Sequence, residues 1–284
     1  MARVSVAVAS RRVGSGAVQM IFWVCLAVVM MFPFYWGLIT SFKPPHELTT
    51  DPPIFWPQQF SAARNYSIVL DEIPIIRYFF NSLYVCTVST AAVLFTASLA
   101  GYILEKIALP GKELIFVGIV ATMMVPFPVR MIPIYLVFRD LRLINTLPSL
   151  YVGALVSAYG VFLMRQFMKT VPSELLDAAR IDGCKEFYIF TRVAMPLCKP
   201  PLAALGIFHF MFEWDSFLWP LLMIDDRNLR TLPLGLALYR SGFGVMEWNK
   251  IMAGAMMAMI PVVIVYLIGQ RHFIQGITLT GLKG

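Results

Sequence analysis

Six long apolar stretches constrain this chain more than any other feature of its sequence. A bilayer core about 30 Å thick is crossed by roughly 20 apolar residues in a helix. Helices are expected rather than a barrel, because the apolar runs are continuous and barrel strands would alternate. The sequence therefore predicts an all-α membrane protein with six transmembrane helices, near residues 17–40, 79–103, 114–137, 148–164, 202–224 and 251–269.

Composition agrees with this class. The chain is 59% hydrophobic and only 14% charged, whereas about a quarter of the residues in soluble domains are charged. Its net charge of +7 comes from basic residues spread through the loops, without the clustered basic patch of a nucleic-acid-binding protein. Anionic lipid headgroups are the simpler partner, so we expect contact with the lipid bilayer and none with nucleic acid.

The cationic residues outside the spans indicate the orientation. Six spans place both termini on one side, which carries 13 of the 23 Lys and Arg residues against nine on the other side, Arg130 being inside the third span. This excess favours cytoplasmic termini. The first apolar run is longer than a signal-peptide core, so we expect it to be retained. Residues 1–16 are predicted to form a cytoplasmic tail and residues 17–284 a single transmembrane domain.

Residues 165–199, the charged loop, differ sharply from the rest of the chain, because ten of these 35 positions are charged. Ser173 is expected to cap a short helix, and Gly183 suits the left-handed position that ends one, so a second helix should begin at Cys184. Ala178 and Ala179 have little bulk and would let a neighbouring surface approach the backbone. The alternative is a solvated loop that only links two spans.

The residues of this loop resemble those of a known family. The segment from Glu174 to Gly183, followed by Phe187 or Phe190 and by Pro196-Leu197, resembles the EAA loop of inner-membrane permeases in bacterial ABC importers. In four places the chain departs from the family pattern, with Asp177 for a glutamate, Cys184 for a smaller residue, Asp215 for an asparagine, and Thr278-Leu279-Thr280 where smaller residues are common. The segment from Trp214 to Leu221 and the ending Gly281-Leu282-Lys283-Gly284 add to this resemblance. Four earlier segments resemble the carbohydrate-uptake branch of the family, namely Ser41-Phe42-Lys43-Pro44, Asn65-Tyr66, Asn81-Ser82-Leu83 and Leu143-Ile144-Asn145-Thr146.

The resemblance implies the type I importer permease fold, also called MetI-like, with the charged loop as a cytoplasmic coupling helix docked on an ATPase. The implied partners are a second permease subunit, two ATPase subunits that bind ATP and magnesium, and an external solute-binding protein. This chain has no Gly-x-x-x-x-Gly-Lys-Ser/Thr loop and no cysteine spacing of a metal site, so it is expected to be neither an enzyme nor a binder of cofactor or metal. The coupling residues that the resemblance implies are Glu174, Asp177, Ala178, Ala179, Asp182, Gly183 and Glu186.

Polar and aromatic residues inside the spans are candidates for the cargo path. His209, Glu213 and Ser216 are spaced to share one stripe of a helix. Aromatic faces would meet the C–H groups of a sugar, and polar groups would bond its hydroxyls. The alternative is that these side chains reach the membrane interface or bond to neighbouring helices. The path candidates are Arg130, His209, Phe212, Glu213, Ser216 and Trp219.

The sequence thus predicts a permease subunit of an ATP-driven importer for a sugar, oligosaccharide or related polyol in the bacterial cytoplasmic membrane. An alternative keeps this mechanism but changes the cargo to glycerol-3-phosphate or another small anionic solute, for which Arg130 would be a natural partner. A more remote alternative is an ion-gradient-driven carrier, which would need inverted repeats and carboxylates within the spans. Only Glu213 and Asp215 are notable there. A membrane enzyme has no motif to support it.

Overall fold

The structure is a computed structural model that describes the backbone of residues 2–242 and 247–280 and the side chains of residues 18–239 and 247–267. Within these ranges all regular structure is helical. The predicted ending at residues 281–284 lies outside the described residues. The α-helices are α1 (Ala2–Phe42), α2 (Ala62–Glu72), α3 (Ile75–Lys106), α4 (Lys112–Thr122), α5 (Phe127–Asp140), α6 (Pro148–Tyr151), α7 (Ala158–Met168), α8 (Ser173–Ile181), α9 (Glu186–Ile189), α10 (Met195–Leu197), α11 (Lys199–Trp214), α12 (Leu218–Met223), α13 (Leu232–Gly242) and α14 (Trp248–Thr280).

Four helical segments within the described residues are long and apolar enough to cross a membrane. They coincide with the first, second, fourth and sixth predicted spans. Two bent helix pairs raise the number to six if each pair is one span. Helix α1 begins at Ala2, so helical backbone runs through the segment that we expected to be a tail. The four segments are Val18–Phe42, Ile75–Lys106, Pro148–Met168 and Trp248–Leu267.

The third predicted span, residues 114–137, is broken near its middle. Helix α4 ends at Thr122, and α5 leaves it at an angle of 99°. Pro126 explains the break, because the residue before a proline avoids helical angles. Pro126 itself is extended, at φ −58° and ψ 142°, and the next helix begins directly after it. Pro128 fits this first turn, where a missing N–H costs nothing.

The fifth predicted span, residues 202–224, also differs from a single helix. Helix α11 ends at Trp214, and α12 is a separate helix beyond it. At the other end α11 meets the segment Glu186–Leu197 at 83°. Prolines accompany this bend too, since Pro200 and Pro201 occupy the first turn of α11. The predicted window therefore joins two separate helices, α11 and α12, because hydropathy sums apolar character without regard to where helices end.

The chain separates into two compact units, Met1–Glu72 with Gly242–Met257, and Ile73–Ser241 with Ala258–Gly284. In the first unit a buried amide joins three segments. Asn65 Nδ2 donates to the carbonyl oxygens of Ser41 at 2.8 Å and Lys43 at 2.9 Å, and its Oδ1 accepts from Asn249 Nδ2 at 2.9 Å. Tyr66 adds a hydroxyl contact to Ser41 at 3.1 Å. The segments at residues 41–44 and 65–66, both noted in the sequence, therefore hold the end of α1 against α2.

The second unit is built on the close packing of α3 against α7. A Cβ added at Gly101 would lie 2.8 Å from the backbone nitrogen of Arg165, and one added at Gly160 would lie 2.9 Å from Ala97 Cβ. The core continues from this pair into the charged loop, where Leu176, Ile189 and Phe190 are each at most 1% exposed. Burying one such apolar side chain contributes about 1.5–3 kcal/mol. The loop is therefore fixed on α3 and α7.

Candidate functional site

The charged loop contains the helix, turn and second helix that the sequence predicts. Helix α8 ends in a Schellman motif, with Gly183 N donating to Arg180 O and Cys184 N to Ala179 O, both at 3.0 Å. Gly183 has φ +80°, which a residue with a Cβ adopts at a cost of roughly 1–2 kcal/mol. The left-handed glycine predicted at this turn is thus confirmed.

Two details of the loop differ from expectation. Ser173 is the first residue of α8 and does not cap it. Pro172 precedes the helix without a side-chain cap, and Ser173 Oγ instead accepts from Lys106 Nζ at 3.3 Å. The second helix begins at Glu186 rather than Cys184, because the Cys184 N–H completes the Schellman turn and Lys185 is extended. After four residues it continues as a π-helix, Phe190–Ala194.

Helices α8 and α9 and the turn between them form a hairpin, and the predicted coupling residues lie mostly on its exposed side. Ala179 is half-buried, and the others are exposed: Glu174, Asp177, Ala178, Asp182, Gly183 and Glu186. Large apolar side chains are exposed among them, with Ile181 at 86%, Phe187 at 61% and Leu175 at 49%. Apolar groups rimmed by charge mark interaction surfaces. The hairpin therefore presents a mixed surface for a partner while its other side is buried.

An ion-pair network holds the two short helices together. Arg180 donates to Asp177 Oδ1 at 2.6 Å and to Glu186 Oε1 at 2.6 Å. The Glu186 carboxylate raises the pKa of the Arg180 guanidinium above its usual value, so this cation stays charged. Tyr102 of α3 donates to Glu186 Oε2 at 2.7 Å. The loop is thus tied to a membrane helix through a carboxylate that also orients its own arginine.

The structure distributes the path candidates over three helices. His209 and Glu213 share one face of α11, with Nε2 and Oε1 4.0 Å apart and side chains only 12% and 11% exposed. Phe212, on another face of α11, is 73% exposed. Ser216 does not continue the predicted stripe, because α11 ends at Trp214, and the Ser216 N–H bonds to Glu213 O at 3.2 Å.

Trp219 and Arg130 lie outside α11. Trp219, on α12, donates to Ser149 O at 3.0 Å and its ring packs edge-on against Phe127 and Phe138. Arg130 is exposed on α5, among apolar residues that are also exposed. The structure therefore brings His209 and Glu213 together, places Phe212 on another face of the same helix, and leaves Arg130 and Trp219 on other helices.

Sequence reasoning missed a second ionic cluster beside the loop. Arg165 is 4% exposed, and it bonds to Glu105 at 3.1 Å and also to Glu113. Its guanidinium lies over the ring of Phe116 at 4.0 Å. The sequence places a charged residue near the end of each of three helices, but their spacing does not show which of these residues form ion pairs. Among the described residues, no group of three or more His, Cys, Asp and Glu side chains could hold a metal ion.

The fold is that of a helical membrane protein in which α8, α9 and the turn between them form an exposed hairpin. Residues 97–279 match the family described as "Binding-protein-dependent transport system inner membrane component". The chain belongs to this family, and it is therefore a transport subunit of the inner membrane rather than an enzyme.

Three relatives support the assignment. The arabinooligosaccharides transport system permease protein AraQ of Bacillus subtilis (strain 168) is 35% identical over 272 residues, covering 93% of this chain and 94% of the relative. The lactose transport system permease protein LacG of Rhizobium radiobacter is 31% identical, with 88% and 90% covered. The sn-glycerol-3-phosphate transport system permease protein UgpE of Escherichia coli O1:K1 / APEC is also 31% identical, with 88% and 91% covered.

A solved structure confirms the fold. It is a bacterial ABC transporter involved in the import of the acidic polysaccharide alginate, and one of its chains matches with a TM-score of 0.83. The match covers 91% of this chain and 96% of that chain at 22% identity. The predicted all-α fold of an ABC importer permease is thereby confirmed.

Proposed function

We propose that this chain is one of two permease subunits of an ATP-driven importer that moves a sugar, oligosaccharide or related polyol. The observation that carries the proposal is the exposed hairpin of α8 and α9, with its mixed apolar and charged surface, in a chain of this transport family. Relatives named for arabinooligosaccharides and lactose support a carbohydrate cargo. The sequence of this chain has no Gly-x-x-x-x-Gly-Lys-Ser/Thr phosphate-binding loop, so the proposal assigns the ATP hydrolysis that drives transport to a pair of ATPase subunits.

The hairpin suits insertion into a cleft of an ATPase. Ala178 is exposed and small, so a partner backbone can approach α8 closely. Glu174 and Asp177 lie early in this helix, where the helix dipole favours anions and they offer acceptors to a basic partner surface. Asp182 and Gly183 form the turn that fixes the angle of the second helix. Closure of the ATPases on ATP and magnesium would push this hairpin, and rigid-body movement would switch access across the membrane.

The proposed orientation puts both termini and the charged loop in the cytoplasm. It rests on the excess of Lys and Arg on that side of the predicted spans. An external solute-binding protein would then deliver cargo to the opposite side. This arrangement agrees with the family description, which names a binding-protein-dependent system.

For the cargo path we favour Arg130 and Phe212, whose side chains are exposed, over His209 and Glu213, which are mostly buried within their own unit. A cation in the middle of a span costs about 2.5–3.5 kcal/mol when it faces lipid, so Arg130 is better placed toward water or a partner. This exposed cation supports the second candidate, an anionic cargo, and a relative named for sn-glycerol-3-phosphate agrees with it.

Reconstitution tests the proposal. The chain is co-expressed with candidate partner permease, ATPase and solute-binding proteins, and uptake of labelled arabinooligosaccharide, lactose and glycerol-3-phosphate is measured in proteoliposomes. We expect ATP-dependent uptake, and its loss in Asp177→Lys while the chain still inserts. ATP-driven uptake of glycerol-3-phosphate alone would select the anionic candidate. Uptake that persists without ATPase subunits, or at an unchanged rate in Asp177→Lys, would contradict the proposed mechanism.

A further inference from the structure

The last turn of α3, residues 101–106, contacts the charged loop at three separate points. Tyr102, Glu105 and Lys106 are spaced to share one helix face. Tyr102 bonds to Glu186 at the start of α9, and Glu105 accepts from Arg165 at the start of the loop. Lys106 Nζ reaches the segment before α8, where it donates to the carbonyl oxygen of residue 171 at 2.6 Å. One turn of one helix therefore holds the beginning of the loop and both of its short helices.

Packing leaves no space for the loop to slide over this turn. Tyr102 is 2% exposed, and its ring lies 5.4 Å from that of Phe190, which is 1% exposed. On the adjacent side, Gly101 brings backbone against backbone at Arg165, as described above. Polar and apolar contacts therefore hold the loop on the same turn of α3. Close-packed protein interiors have low compressibility, so a displacement of the loop is transmitted to α3.

The two segments that connect the loop to α7 and to α11 have irregular backbone. Toward α11 the chain passes through the π-helix, Pro196 and the 83° bend. From α7 it passes through turns at residues 169–171 and Pro172. Helix α3, by contrast, is continuous over 32 residues, a length of about 48 Å. Within the described residues, α3 is an unbroken helix that contacts the loop at one end and is long enough to cross a membrane.

We propose that the last turn of α3 is the element through which movement of the charged loop reaches the membrane helices, with Tyr102 and Lys106 as positioning residues. This inference rests on the proposed function, because it assigns the route by which an ATPase-driven push enters the bundle. The loop and α3 move as one body, and the irregular connections on either side of the loop absorb the change in angle.

The test follows the far end of α3 and needs no identified cargo. Ile76, in the first turn of α3 and 63% exposed, is changed to cysteine (Ile76→Cys) in a chain whose four native cysteines are replaced by alanine. Labelling by a water-soluble maleimide is compared in nucleotide-free complexes and in complexes trapped with ATP and vanadate. The variant Tyr102→Phe keeps the ring and removes the bond to Glu186. The matched control Tyr66→Phe removes a hydroxyl contact of the other unit.

We expect trapping to change the labelling rate at position 76, and Tyr102→Phe to reduce that change by roughly tenfold, because a hydrogen bond to a charged group is lost. ATPase binding and ATP hydrolysis should persist in this variant, and Tyr66→Phe should match the unmodified chain. Lys106→Met should reproduce the loss and Lys106→Arg should restore the response, which keeps the test decisive if Tyr102→Phe does not assemble.

The failure of this inference differs from the failure of the proposed function. A complex that binds and hydrolyses ATP with no change in labelling at position 76, or with the same change in Tyr102→Phe and Lys106→Met, would overturn the role of α3. A chain that binds no ATPase subunit at all would instead contradict the proposed function on which the inference rests.

Discussion

Replacing Gly101 by alanine tests the close contact between α3 and α7 in the second unit. The added Cβ would lie 2.8 Å from the backbone nitrogen of Arg165 and 2.9 Å from both the carbonyl carbon and the Cβ of Met164. Two of these three atoms belong to the backbone and the third is bonded directly to it, so no rotamer change relieves the contact. Ordinary contact begins at 3.4 Å, which means that α3 and α7 must separate by about 0.6 Å, a gap that forfeits a quarter or more of the dispersion energy of the atoms involved.

The expected loss of stability follows from two opposing effects. Overpacking a close-packed interface costs roughly 1–3 kcal/mol, and contact with the backbone places Gly101→Ala at the upper end of that range. Alanine regains about 1 kcal/mol, because it restricts the unfolded chain and favours helix. The net expectation is a destabilisation of about 2 kcal/mol, with a further loss of transport because the same contact fixes the charged loop.

Thermal unfolding of the purified complex in detergent measures this effect, with ATP hydrolysis recorded on the same samples. Gly118→Ala is the matched control, since Gly118 also lies within a helix and no atom lies within 4 Å of its added Cβ. We expect Gly118→Ala to keep or raise the midpoint of unfolding and Gly101→Ala to lower it by several degrees. Equal midpoints for the two variants would refute the packing argument.

Two further comparisons test the turn and the buried cation. Gly183→Ala and Gly111→Ala should each lower the stability by roughly 1–2 kcal/mol, because both glycines have positive φ, +80° and +76°, with open space around them. Only Gly183→Ala should weaken ATPase binding in a pull-down. Equal binding by both variants would contradict the role of the hairpin. Glu105→Gln should lower stability by roughly 1–3 kcal/mol. Glu113→Gln should lower it clearly less, because both carboxylates pair with Arg165 but their side chains are 21% and 69% exposed, and solvent screens the exposed pair. Equal losses in thermal unfolding would argue against this difference in screening.

Features with a local cause were predictable from the sequence. Gly183 follows an acidic residue at the end of a short helical pattern, and only the chain near it decides its left-handed angle. The long apolar windows likewise predict helices, as at Ile75–Lys106, which contains no proline, and at Val18–Phe42, where Pro33 lies inside the helix without ending it. Ser173 was assigned as a cap by the same local reasoning. That assignment was wrong, because Lys106, 67 residues away, bonds to its hydroxyl and the helix starts one residue earlier.

Contacts between distant segments could not be predicted. Tyr102 lies 84 residues before Glu186, and Lys106 lies 65 residues before Val171. Each sits at the end of an apolar run, where tyrosine and lysine are common at a membrane interface. Their pairing depends on how α3 packs against α7, and that packing is set by two glycines whose importance appears only in three dimensions.

The break in the third predicted span gives a second physical reason, besides its charge, to propose Arg130 for the cargo path. Irregular backbone is tolerated at membrane depth only where protein covers it or where it lines water. All ten residues from 121 to 130 are exposed on this chain, and the interruption between Thr122 and Phe127 falls inside that stretch. Within the proposed assembly, a second permease or a water-filled path must therefore cover this break. Arg130 lies on the first turn of the helix that follows, and we propose that it faces this covered region, where its charge would be kept out of the lipid and close to the cargo or the partner subunit.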